Sequence, residues 1–135
     1  MKEVTKLMIE KYKIMEIGYD FMGYRVNKEK SLSFHHLIVP KRKNGKEIVE
    51  NGAILVRESS HDYLHVIEKV DHQIFNFITS EMIDENVKGF IDMANLKRID
   101  DLLSYFENKH GDDTCKRGYY LIKDVYKRRL LQERR

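Results

Sequence analysis

Four of the six histidines in this 135-residue chain fall between positions 35 and 65. His35 and His36 are neighbours inside the apolar, β-prone run SFHHLIV, and His61 and His65 stand four apart in SHDYLH. On a helix, residues four apart project from one face about one turn from each other, so this pair can grip a single divalent ion. Neighbouring positions on a strand face opposite sides. One of His35 and His36 can therefore turn toward a helix packed on its strand while the other turns away. A hairpin folded onto its own following helix would bring a third imidazole to the helical pair and leave a fourth beside it. Three protein ligands leave coordination positions open for water and substrate. Ordinary core or surface histidines would produce the same letters, so the outcome depends on whether the elements that carry them converge.

Those elements can be read from periodicity. Positions 3–16, EVTKLMIEKYKIME, have Val4, Met8, Ile9, Tyr12 and Met15 roughly on one face of a helix, which Gly18 and Gly23 should end. Positions 31–39 read as a strand. Pro40 and Asn44-Gly45 punctuate a loop, Asn51-Gly52 supplies a second turn, and AILVR at 53–57 reads as the returning strand. Ser59 or Ser60 is the expected N-cap of a long helix reaching about residue 82, supported by Leu64, Val66, Ile67, Val70, Ile74, Phe75 and Ile78. Further helices are expected over 91–106 and 119–133, separated by Gly111 and Asp112-Asp113. The expected class is α+β and mostly helical. A β-hairpin feeding a helix, about 31–70, is braced by an N-terminal helix and by a C-terminal helical extension, about 80–135, all within one domain spanning 1–135.

Bulk properties narrow the function classes. With 41% hydrophobic and 35% charged residues, the chain is globular in composition. No apolar run approaches the roughly 20 residues that cross a bilayer, and the first residues lack a secretory signal's apolar core. Cys115 is the only cysteine, which excludes an intramolecular disulfide and any zinc site built on cysteine pairs. An intracellular, cytoplasmic protein with no membrane partner is expected. The net charge of +3 is uneven: positions 116–135 hold eight basic and two acidic residues, net +6, leaving the rest at −3. A basic tail on a mildly acidic body suits a polyanion partner, and equally a solvated helix surface.

The run HHLIVPKRKNG, then ENGAILVR, then SHDYLH resembles the ββα-metal core of the HNH endonuclease family, and most of all its His-rich branch that includes the nuclease domains of bacterial colicins. The family's elements appear here in order as His35-His36, Pro40, Gly45, Asn51, His61 and His65. The resemblance covers about residues 32–66. It departs from the many members that surround this core with zinc-binding cysteine pairs, and Lys46 stands where a second glycine is common.

The resemblance implies a metal-dependent endonuclease acting on DNA. His36 would be the general base that takes a proton from water, because a neutral imidazole titrates near working pH. His35, His61 and His65 would hold a divalent ion that stabilises charge on the departing 3′ oxygen. Asn51 would bond across the loop and orient His36. Three imidazoles favour Zn, Ni, Co or Mn over Mg, although many family members work with Mg²⁺.

Lys41, Arg42, Lys43 and Lys46 in the loop, and Arg57 at the end of the second strand, can neutralise phosphates flanking the cut without reading sequence. A solvated loop and a structural salt bridge are the competing readings for these same residues. Duplex DNA is the expected partner ahead of RNA, with a homodimer or an inhibitor protein as further partners. Two alternatives belong to other classes. One is a catalytically silent DNA-binding or scaffold protein of a phage or mobile element, and the other is a toxin-type nuclease held by an inhibitor. His72, His110 and Cys115 receive no chemical role.

Overall fold

The computed structural model describes residues 1–39 and 43–116. It is mostly helical, with one small antiparallel sheet. In chain order the elements are α1 (Glu3–Lys11), the short α2 (Ile14–Ile17), β1 (Leu32–His36), β2 (Gly52–Val56), α3 (Asp62–Val70), α4 (His72–Lys88) and α5 (Met93–Lys116). Among the described residues, no helix is long and apolar enough to cross a membrane.

The expected first helix is two helices. Lys13 takes the left-handed conformation, with φ 54°, and breaks the run after Tyr12. Tyr12 is buried and its hydroxyl donates to the Asn86 carbonyl at 3.0 Å, which fixes the chain at that point. The break rotates the next helical turn: Ile14 is fully buried, while Met15, expected on the inner face, is exposed. Gly18 and Gly23 both have positive φ, as a terminated helix and a tight turn require.

β1 and β2 pair in the register Leu32↔Val56, Ser33↔Leu55, Phe34↔Ile54, His35↔Ala53 and His36↔Gly52. Asn51-Gly52 is not a two-residue turn. Asn51 closes a 3₁₀ turn and Gly52 opens β2 beneath the Phe34 ring, where an added Cβ would sit 2.1 Å from a ring carbon. From Val56 the chain enters a five-residue π-helical turn, Arg57–His61, that packs against both strands and leads into α3. Neither Ser59 nor Ser60 is an N-cap. Both are buried, and Ser60 instead donates to the carboxylate of Asp20 and accepts from the Val56 N–H at 3.1 Å.

The single long helix expected from an N-cap at Ser59 or Ser60 to about residue 82 is divided at Asp71, whose extended backbone ends α3. Its side chain then caps α4 by accepting from the Ile74 N–H at 3.2 Å. His110 bonds the same carboxylate at 2.8 Å and thereby ties α5 to the α3–α4 joint. These bonds, the His110 contact first, hold the Asp71 carboxyl below its ordinary range. α5 runs through Gly111 and Asp112 without the expected break. The helix expected over 119–133 lies outside the described residues.

The core lies where α1, the hairpin, α3, α4 and α5 meet, and includes Met8, Phe21, Leu32, Ile54, Leu64, Ile67, Ile78 and Leu103. Asn86 on α4 links helix to hairpin: its Nδ2 donates to the carbonyls of Val49 and Gly52, both at 2.7 Å. The long connection between the strands is therefore pinned by a helix at the end that enters β2.

Candidate metal centre

Three of the four clustered histidines converge. His35, His61 and His65 each offer a ring nitrogen such that the three atoms lie within 4.8 Å of one another, the one such cluster of three or more His, Cys, Asp or Glu among the described residues. The ring centroids of His35 and His61 are 5.1 Å apart, those of His61 and His65 5.0 Å, and those of His35 and His65 5.5 Å. Imidazole nitrogens bind a tetrahedral zinc ion at about 2.0–2.1 Å, which puts nitrogens around one ion some 3.3–3.5 Å apart. His35 Nδ1 and His61 Nε2 already stand at 3.3 Å. A modest closure of His65 would complete the set, and the donor chemistry fits a first-row transition ion.

Burial grades across the three. His35 is buried, His61 half-buried and His65 exposed, so the cluster has a floor and an open side. Burial, followed by repulsion from the neighbouring rings, pushes the His35 pKa down to about 3. The same two causes, with Arg57 adding to the repulsion, bring His61 down to about 4. Both rings are thus neutral at pH 7, with lone pairs available to a cation.

Outer contacts fix the rings. Ser33 Oγ lies 2.7 Å from His61 Nδ1 and 3.2 Å from the Leu55 carbonyl oxygen. When the hydroxyl donates to the carbonyl it accepts from the ring, and in that arrangement the His61 proton is on Nδ1 and Nε2 carries the lone pair. On His65, Nδ1 faces Glu68 Oε1 at 3.2 Å, which leaves Nε2 as the ligand atom by the same logic. Behind the π-helical turn, the fully buried Asp20 accepts from Ser60, Val56, Tyr24 and Met22. Burial outweighs these donors and pushes its carboxyl up to about 6. Asp20 therefore locks the turn that carries His61.

His36 occupies the neighbouring position as strand alternation requires. It shares a side of β1 with Phe34, whose ring meets it edge-on at 5.0 Å between centroids. Its Nε2 has no hydrogen-bond partner among the described residues. His36 and the three clustered histidines line a common cleft of about 540 Å³, lined also by Phe75, Asn76 and Thr79 of α4.

Asn51 spans the loop with all its polar atoms engaged. Its Oδ1 accepts from the N–H groups of Ile38 and Val39, both at 2.9 Å, and its Nδ2 donates to the carbonyls of Val39 and Lys46, both at 3.0 Å. Its own carbonyl accepts from the Leu37 N–H at 2.9 Å. Asn51 thus reaches His36 through the backbone just after that ring, not through a side-chain bond.

Of the basic residues, Lys43 and Lys46 are exposed in the loop, and Lys41 and Arg42 lie outside the described residues. Arg57 is exposed and donates to the Leu32 carbonyl at 3.4 Å, facing a second cleft, not the histidine one.

Ser33, Asp20 and Ser60 were not evident from the sequence. Ser33 carried a signal, since it stands two residues before His35 and so on the same strand face. Asp20 and Ser60 are forty positions apart, and only the fold brings them together. Comparison with protein-family models, curated proteins and solved structures finds no match to this chain.

Proposed function

We propose that this chain is a metal-dependent endonuclease that hydrolyses phosphodiester bonds of DNA, built on a ββα-metal finger of the HNH type. The observation that carries this reading is the convergence of His35, His61 and His65 with a fourth imidazole in the same cleft, His36, whose Nε2 has no hydrogen-bond partner among the described residues. A structural metal site has no use for such a fourth ring, whereas hydrolysis can use one as a general base.

In this reading His36 accepts the proton of the attacking water through Nε2, the ring nitrogen without a hydrogen-bond partner among the described residues. His35, His61 and His65 would hold a transition ion, which when bound would supply charge stabilisation for the leaving 3′ oxygen. Ser33 holds His61 in its ligating tautomer, and Asn51 keeps the loop from carrying His36 out of the cleft. Lys41, Arg42, Lys43, Lys46 and Arg57 neutralise phosphates outside the cut.

Supercoiled plasmid incubated with Zn²⁺, Ni²⁺, Mn²⁺ or Mg²⁺, against an EDTA control, tests the reading. His36→Ala should lower cleavage by about 10²–10⁴-fold while leaving metal binding intact. Calorimetry should show tight binding of a transition ion that His61→Ala abolishes. Equal cleavage by wild type and His36→Ala rejects His36 as the base, and absence of any histidine-dependent ion binding rejects the site.

A further inference from the structure

Beside the histidine cleft lies a second and larger one, of about 670 Å³, on the other side of the π-helical turn. Arg25, Lys28 and Lys30 line it from the segment leading into β1, and Arg57 lines it from the turn itself. All four are exposed, and Glu58 is the lone carboxylate among the lining residues. Asn27 and Ser31 add polar groups, and Val56 gives an apolar patch of wall.

The histidine cleft has the opposite character. Its one cation, Lys2, is ion-paired with Glu47, and its other acid, Glu68, sits against His65. A polyanion entering there would find little to offset its charge. The neighbouring cleft supplies what is lacking, and Arg57 joins the two: it is bonded to the Leu32 carbonyl at the start of β1, and the same five-residue turn ends at His61.

We propose that the cleft formed by Arg25, Lys28, Lys30 and Arg57 holds the sugar–phosphate backbone of a nucleic acid strand whose scissile phosphate lies in the histidine cleft. This deepens the nuclease reading and rests on it for the position of the cut, but the binding itself needs no metal. Contacts of this kind are made to phosphates, not bases, so they are indifferent to sequence and weaken with salt.

Binding of a fluorescent 20-base-pair duplex, titrated in EDTA at several salt concentrations, separates the two claims. Lys28→Ala/Lys30→Ala should reduce the slope of log affinity against log salt by about two. Glu58→Gln should tighten binding. The charge-matched control Lys97→Ala/Lys109→Ala on α5 should leave the slope near its wild-type value. An unchanged slope in the cleft variant, or an equal loss in the control, overturns the proposal. So does loss of binding to phosphatidylserine vesicles alone, with duplex binding intact, because the surface would then serve a membrane. If the slope changes as stated while plasmid cleavage and ion binding are absent, the backbone cleft stands and the nuclease reading fails. Thermal melts of each variant confirm that the comparison is between folded proteins.

Discussion

Ser33 shows how much of a candidate metal site can rest on a residue that would never touch the ion. When its hydroxyl donates to the Leu55 carbonyl it accepts from His61 Nδ1 and leaves Nε2 for a cation, whereas the other tautomer would direct an N–H at the cation. Loss of such an outer contact costs about 10–100-fold in metal affinity in comparable sites. Ser33→Ala should therefore weaken Zn²⁺ binding by that factor in a chelator competition, and Ser33→Thr should restore most of it. Equal affinities for Ser33→Ala and wild type would show that the hydroxyl has no such role. Glu85 offers a test of a different kind. It is fully buried with no hydrogen-bond partner for either carboxylate oxygen among the described residues, and burial, with Asp20, Asp92 and Glu81 adding repulsion, pushes its carboxyl up to about 10. The folded-state pKa is thus raised above the unfolded value of 4.5. Between the two, the unfolded chain ionises and the folded one does not. The stabilising contribution is complete below pH 4.5 and drains away as pH climbs toward 10, by up to about 1.4 kcal/mol per pH unit. Urea unfolding at pH 5 and pH 8 should show this decline in wild type and a flatter profile in Glu85→Gln; parallel profiles would mean that Glu85 ionises freely in the fold.

Elements, more than single residues, decide whether the histidines meet. The hairpin holds its register partly because Gly52 leaves room for the Phe34 ring that lies over it. Gly52→Ala would force that ring or the strand aside, and overpacking of this sort costs about 1–3 kcal/mol. Because His36 pairs with Gly52 and His35 with Ala53, the same displacement should weaken metal binding. Gly52→Ala combined with Phe34→Ala should recover part of the metal affinity, measured by calorimetry, since the obstacle is removed. The α3–α4 joint is a second such device. Asp71→Ala removes the cap of α4 and the partner of His110 together, and should cost about 1–2 kcal/mol in chemical denaturation. His61 and His65 lie upstream of that joint, so this variant should keep its ion affinity.

For the molecule as a whole, ion binding and folding should be coupled, because the three rings come from separate elements and converge only in the folded chain. A ligand present at a hundredfold excess over its Kd stabilises by about 2.7 kcal/mol. Zn²⁺ should accordingly raise the melting temperature of the wild type, EDTA should reverse the rise, and His35→Ala should show none. An undiminished rise in His35→Ala would place the ion elsewhere. The hairpin is braced by helices and by its own loop: α4 reaches it through Asn86, α1 is tied to α4 through Tyr12, and Asn51 closes the loop.

The mostly helical α+β class, the hairpin and the four histidines worth attention were all legible in the linear chain, because period-2 and period-3.6 patterns are local and survive without the fold. The interruptions at Lys13 and Asp71 were not. Each depends on a partner far along the chain, Asn86 holding Tyr12 in one case and His110 bonding Asp71 in the other. Residue spacing determined which imidazoles could share a face. Only tertiary packing decided that they do, since the approach of β1 to the π-helical turn is set by Asp20, Ser60 and the buried core beneath them, and no local propensity encodes a contact across forty residues.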